Sequence, residues 1–244
     1  MLVTGASTGI GRAAARLLAS RGAKVFLVAR RKAVIDEAVA EIRAEGGIAD
    51  GHAADVSERA QLEAALDAAE AVFGPPYGLF ANAGTGGRFA PLGGYDQEVF
   101  DGVLNTNLLG PFWALQRLMP GMIARGRGAV VVTGSIASER GMANNAAYVA
   151  SKHAILGLAR AAALEGAPHN VRANCVIPGF IETPMMEGIP PDVRAHLASL
   201  IPQKRLGTAE EVAEVAAFLL SDAASYVTGQ AWSVDGGVLG TQSV

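Results

Sequence analysis

Short apolar, β-branched runs alternate with longer stretches of helical periodicity along this chain, and no other feature restricts its fold as much. KVFLVA precedes VIDEAVAEIRAE, GLFANAG precedes a long stretch from Gln97 to Ala124, and AVVVTGS precedes the segment around Tyr148. VRANCVIPG, EEVAEVAAFLL and AWSVDGG continue the series. Alternation of this kind reads as successive βα units, whose strands form a parallel sheet covered by helices on both faces. The predicted fold is therefore α/β, a doubly wound parallel sheet. No Pro/Ser/Gly-rich linker or charge run divides the 244 residues, so 1–244 is read as a single domain. Only 6% of residues are aromatic while half are hydrophobic, which predicts a core of Ala, Val, Leu and Ile and helices lying close to the sheet.

The formal charge of −3 and the scattered Lys and Arg leave no basic stripe, so nucleic acid is not an expected partner. One cysteine, Cys175, cannot form an internal disulfide and reads as a buried small hydrophobe. No apolar run approaches the ~20 residues that span a bilayer, and no charged-then-apolar secretion signal opens the chain. The expectation is a soluble cytoplasmic protein without a membrane partner. His52, His153, His169 and His196 share no ligand spacing with one another or with Cys175, and no metal is expected.

Gly5, Gly9 and Gly11 in TGASTGIG fall where the first strand turns into the first helix. Glycines there permit a tight turn and let backbone N–H groups approach a pyrophosphate at the positive helix N-terminus. The second strand ends at Ala29, near the place where an acidic residue usually holds the adenosine ribose 2′-hydroxyl, about 20 residues after the motif. Arg30 and Arg31 stand there instead. A guanidinium without a carboxylate favours the 2′-phosphate, hence NADP(H) over NAD(H); the alternative is that both arginines only begin a solvated loop.

Tyr148 and Lys152 lie four residues apart in AAYVASKHAILGLAR, one helical turn apart on one face. A cation beside a phenol favours the phenolate, which suits the pair to acid/base work. His153 adjoins Lys152 but points about 100° round the helix. Ser135 closes AVVVTG at a strand's C-terminal end, where open α/β sheets bind ligands, with Ser138 as the competing hydroxyl. Asn107 is a mediocre helix residue within FDGVLNTNLLGPFWALQRL, with Asn105 as its near neighbour.

TGASTGIG, Asp55-Val56, ANAG at Ala81 to Gly84, Asn107, Ser135, Tyr148 with Lys152, PGFIETPM from Pro178 and YVTGQAWSVDGG from Tyr226 occur in that order. The chain thereby resembles the short-chain dehydrogenase/reductase family over nearly its whole length, on the side of the 3-oxoacyl-thioester reductases. The resemblance implies a Rossmann-type sheet that binds a nicotinamide dinucleotide, and a homotetramer. It also implies cofactor contacts from Gly5, Ser7, Thr8, Gly9, Ile10, Gly11, Arg30, Tyr148, Lys152, Pro178 and Gly179. Asp55 and Val56 would flank the adenine, and Asn82, Ala83 and Gly84 would steady the central strand beside the cofactor. Ile181 and Thr183 would contact the nicotinamide carboxamide, and Asn107 would distort its helix and hold a water next to Lys152. The catalytic set so implied is Asn107, Ser135, Tyr148 and Lys152.

The expected activity is interconversion of a ketone and a secondary alcohol by hydride transfer, with Tyr148 as acid/base and a small carbonyl or alcohol as substrate. The segment at about 185–203, rich in Met, Gly and Pro, reads as a flap over the substrate, joined by Arg140, Met142 and Asn144. Two rivals stand beside this reading: an NAD-linked alcohol dehydrogenase, and a non-catalytic dinucleotide sensor or scaffold. One departure from the family is the start at Met1-Leu2-Val3. It predicts a very short first strand, or an internal start, and a weakened sheet edge.

Overall fold

In the computed structural model, which describes residues 1–240, seven strands form one parallel sheet in the order β3-β2-β1-β4-β5-β6-β7. The strands are β1 (Leu2–Thr4), β2 (Lys24–Ala29), β3 (Ile48–Ala53), β4 (Gly78–Ala81), β5 (Gly128–Thr133), β6 (Val171–Pro178) and β7 (Ala231–Val234). The helices are α1 (Gly9–Ser20), α2 (Lys32–Ala44), α3 (Arg59–Phe73), α4 (Gln97–Leu104), α5 (Gly110–Ala124), α6 (Ala146–Gly166), α7 (Pro191–Leu200) and α8 (Ala209–Leu220). A π-helical turn, Asn105–Leu109, joins α4 directly to α5.

Alternation along each strand sorts side chains to two faces. Leu2, Leu79, Val130 and Val132 pack with Leu62 and Leu66 of α3, Leu115 and Met122 of α5, and Ile155 of α6. Their neighbours Val3, Phe80, Ala129 and Val131 pack with Ala14 and Leu18 of α1, Ile35 of α2, and Val212 and Ala216 of α8. Both faces are thus buried, as the continuous apolar strands require. Alanines carry much of this contact, which lets α1 and α8 lie side by side on the sheet.

Two points differ from the sequence reading. The run IADGHA forms β3, although Asp50, Gly51 and His52 break its apolar pattern; it pairs only with β2, at the edge of the sheet. The first strand is short as expected, yet it is not an edge. Leu2 and Val3 pair with Phe26 and Leu27 on one side and with Leu79 and Phe80 on the other. A three-residue strand holds there because it is paired on both sides and buried on both faces, so the predicted weakness of an edge does not arise.

The chain winds from β1 outward to β3 and then from β4 in the opposite direction. Between β1 and β4 the winding reverses, and the loops leaving their C-terminal ends diverge and open a crevice.

Candidate active site

The first wall of the crevice is the glycine turn. Thr4, the last residue of β1, accepts backbone N–H bonds from Asn82 and Ala83 on its Oγ1, each at 3.1 Å. Asn82 Nδ2 donates to the carbonyls of Thr4 and Gly5 at 3.2 and 3.4 Å. Gly5 adopts φ +66°, and a Cβ there would lie 2.8 Å from Ala83 Cα. At Gly11 a Cβ would lie 2.2 Å from the Gly5 carbonyl oxygen. Only glycine fits this cradle. Thr8 precedes α1 without a side-chain cap, and no acidic residue occupies the first turn, so the N-terminal N–H groups of α1 are left to an anion. Ser7, Gly9 and Ile10 lie in the same turn. These residues fit a dinucleotide pyrophosphate.

Arg30 and Arg31 leave the end of β2, both exposed and without a side-chain ion pair among the described residues. Beside them Ala54 N donates to the Ala29 carbonyl at 2.8 Å, which brings Asp55 and Val56 to the same end of the sheet. Asp55 Oδ1 accepts from Ser57 N and Ser57 Oγ at 2.9 and 2.7 Å, and Val56 is buried.

The second wall comes from β5 and α6. Lys152 is 4% exposed, and its ammonium donates to the Thr133 carbonyl at 2.7 Å and lies 5.5 Å from the Tyr148 ring centroid. Tyr148, one turn earlier, is half-buried. Thr133 Oγ1 donates to Asn82 Oδ1 at 3.2 Å, so one chain of bonds runs from the glycine turn to Lys152. Ser135 is extended (φ −170°, ψ 164°) and opens a 3-10 turn, Ile136–Ser138. Its N–H donates to Ser138 Oγ at 3.1 Å, and its own Oγ accepts from Ala137 N at 3.2 Å. With that lone pair engaged, the Ser135 hydroxyl proton is left to donate. Ser138 is engaged in the same way, its Oγ accepting from the backbone of Ser135, and it is the more buried of the two at 3% against 8% exposed.

Asn107 lies in the π-helical turn and is 2% exposed. Its Oδ1 accepts from Thr85 N at 2.8 Å, and its Nδ2 donates to the Thr85 carbonyl and to Ser151 Oγ at 2.9 and 3.0 Å. Ser151 in turn donates to the Tyr148 carbonyl at 2.8 Å. A Cβ on Gly84 would sit 3.4 Å from Asn107 Oδ1 and 3.7 Å from Lys152 Nζ. Asn107, Gly84 and Lys152 therefore meet at one point.

A strap after β6 closes the third side. Pro178 ends the strand, and the Gly179 N–H donates to the Val234 carbonyl at 3.0 Å. Ile181 is buried and bridges to Gly207. Thr183 reaches the glycine turn, its Cγ2 3.2 Å from where a Cβ on Gly9 would stand. Behind the strap is a cavity of about 300 Å³ lined by Phe180, Ile181, Ile201, Arg205 and Asp235. None of Ser135, Tyr148 and Lys152 lines it.

Sequence reasoning missed Thr4, Thr133 and Ser151, which tie these walls together. Each of the two threonines ends an apolar strand, LVT and GAVVVT, and that polar last residue was the available signal. Cys175 is fully buried, and desolvation raises its thiol to about 11. His153 is exposed, with Nδ1 3.0 Å from the Val149 carbonyl. Among the described residues no group of three His, Cys, Asp or Glu side chains is placed to hold a metal, and no helix is long and apolar enough to cross a membrane.

Comparison with known proteins adds four likenesses. A family model described as "Enoyl-(Acyl carrier protein) reductase" matches residues 5–239. Cyclohexanol dehydrogenase of Acinetobacter sp. (strain SE19) is 40% identical over 96% of this chain and 92% of its own length. Cis-4-hydroxycyclohexanecarboxylate dehydrogenase of Sinomonas cyclohexanicum is 42% identical over 97% and 94%. The crystal structure of levodione reductase superposes with a TM-score of 0.93 at 37% identity, over 99% of this chain and 97% of that one.

Proposed function

Because the chain belongs to the short-chain dehydrogenase/reductase family, and is thereby an oxidoreductase of CH–OH and C=O groups, we propose that it interconverts a ketone and a secondary alcohol with NADP(H), using Tyr148 as acid/base. The observation that carries the reading is the buried Lys152 ammonium 5.5 Å from the Tyr148 ring, beside the glycine turn. A bound nicotinamide supplies or takes the hydride. Ser135 donates its free hydroxyl proton to the substrate oxygen and orients it. Tyr148 gives its proton to the developing alkoxide during reduction and removes it during oxidation. The buried Lys152 ammonium offsets the negative charge left on Tyr148 as that proton leaves, and the proton is exchanged with solvent along a path past Lys152 and Asn107.

Gly5, Ser7, Thr8, Gly9, Ile10 and Gly11 would hold the pyrophosphate, Asp55 and Val56 the adenine side, and Pro178, Gly179, Ile181 and Thr183 the nicotinamide side. Asn82, Ala83 and Gly84 would keep the central strands in register beneath it. Arg30, with no acid at the end of β2, supports NADP(H) over NAD(H). Two relatives named for a six-membered ring support a compact cyclic substrate. Residues 185–203, which hold α7, would close over it. A cytoplasmic homotetramer is the proposed assembly, by family resemblance.

A panel of cyclic ketones, ring alcohols, 3-oxoacyl thioesters and sugar alcohols, followed by absorbance of the reduced nicotinamide, tests the reading. Turnover of a ketone or secondary alcohol that vanishes in Tyr148→Phe supports it. Dinucleotide binding without consumption across the panel overturns it.

A further inference from the structure

Three buried side-chain atoms lack a hydrogen-bond partner among the described residues: Tyr95 Oη, Asn145 Oδ1 and Arg194 Nε. Only Asn145 adjoins the helix that carries Tyr148 and Lys152. It stands immediately before α6 and is 3% exposed. Asparagine at such a position ordinarily caps the first turn through its side-chain oxygen. Here the side chain makes no cap bond, although the Asn145 carbonyl accepts from Val149 N at 3.1 Å. The backbone is nonetheless fixed. Asn144 holds φ +61°, and its carbonyl accepts from Ala90 N at 2.8 Å, locking the start of the helix against the loop after β4.

A buried amide oxygen without a donor is costly, and nothing at the helix start uses this one. Its place supplies the reason for keeping it. Asn145 stands three residues before Tyr148, the spacing at which side chains on one helix face are neighbours. An unpartnered amide beside the proposed acid/base is placed to meet a substrate already held there.

We propose that Asn145 is a specificity-determining residue that hydrogen-bonds a second oxygen of the substrate, away from the reacting carbon. The substrates so selected are ring diols, hydroxyketones and diketones rather than simple ring alcohols and ketones. An amide serves both kinds of second oxygen, since its carbonyl accepts from a hydroxyl and its NH₂ donates to a carbonyl. This inference rests on the reading of Tyr148 as acid/base at the same site.

The test compares kcat/KM for cyclohexanol with that for cyclohexane-1,2-diol and cyclohexane-1,4-diol, in the full chain and in Asn145→Ala and Asn145→Ser. The wild-type protein should favour at least one diol by about tenfold, and Asn145→Ala should erase that preference, because a site built to bond a hydroxyl discriminates by its presence. Asn145→Ser should restore part of it. The thermal midpoint of Asn145→Ala should not fall, since no intramolecular bond of the side chain is lost. A diol-to-cyclohexanol ratio in Asn145→Ala within about twofold of wild type overturns the proposal, as does a lowered midpoint with an unchanged ratio. Wild-type protein that binds dinucleotide and oxidises none of the three alcohols removes the Tyr148 reading and this inference together, and that result is distinct from a failed ratio with turnover intact.

Discussion

Lys152, on α6, donates through its ammonium to the carbonyl oxygen of Thr133, the last residue of β5, at 2.7 Å. The cation is therefore pinned to the strand end and not left to wave over the crevice. Thr133 reaches on to Asn82, and Asn82 to Thr4 and Gly5. The glycine turn and the amine are thus parts of one rigid assembly.

Tyr148→Phe removes the hydroxyl of the proposed acid/base while keeping the ring that packs near Lys152. Turnover should fall on the order of 10²- to 10⁴-fold, the usual contribution of a positioned acid or base. Dinucleotide affinity, read by fluorescence of bound NADPH, should stay close to wild type. Residual activity above about a tenth of wild type would take the residue out of this role.

Arg30→Asp exchanges the cation proposed to hold a 2′-phosphate for a carboxylate suited to a ribose diol. The ratio of catalytic efficiency with NADP(H) to that with NAD(H) should fall by about tenfold or more. Paired titrations with the two dinucleotides measure it. An unchanged ratio assigns Arg30 to a solvated loop.

Gly11→Ala places a methyl group 2.2 Å from the backbone oxygen of Gly5, which has no flexible side chain to yield. The strain should cost about 1–3 kcal/mol and lower the thermal midpoint by about 2–4 °C for each kcal/mol. Gly102→Ala is the control, because a Cβ at that exposed position in α4 meets nothing within 4 Å. That change should stabilise by about 0.5–1 kcal/mol.

Cys175 is held neutral by burial, its thiol raised to about 11 from an ordinary value of 9.0. Above about 9 the unfolded thiol ionises while the native one does not, so the unfolded state binds fewer protons and stability falls with pH. The contribution is complete below about 9 and lost as pH rises through about 11. A thiol-reactive chromophore should find no cysteine in native protein at pH ~8 and one per chain after denaturation, since the thiolate is the reactive form.

Most of the sheet was legible because its strands are buried on both faces and read as unbroken apolar runs. β3 was not, since an edge strand can carry Asp50, Gly51 and His52 at no cost to the core. The segment from Gln97 to Ala124 read as one helical stretch and is one continuous column, yet its π-helical turn left no mark on the periodicity. In the site, Tyr148, Lys152, Ser135 and the glycines announced themselves by local spacing. Thr4 and Thr133 did not, because they act through bonds between segments far apart in the chain, to Asn82 and to Lys152. Asn145 drew no reading from the sequence, and only its missing bond sets it apart.

A π turn spends one residue more than an α turn to climb one step, so Asn105–Leu109 absorbs an extra residue, worth about 100° of helical phase, while both flanks keep their faces. Upstream of it the helix meets α6; downstream, Leu115, Leu118 and Met122 face the sheet. Trimming a single amino acid there would relax the column to plain α-helix with both halves still facing their partners, but the widened turn that seats Asn107 would be lost. Of all the places where this fold can absorb a change in chain length, the stretch around Asn107 is therefore one where the packing would survive and the site would not.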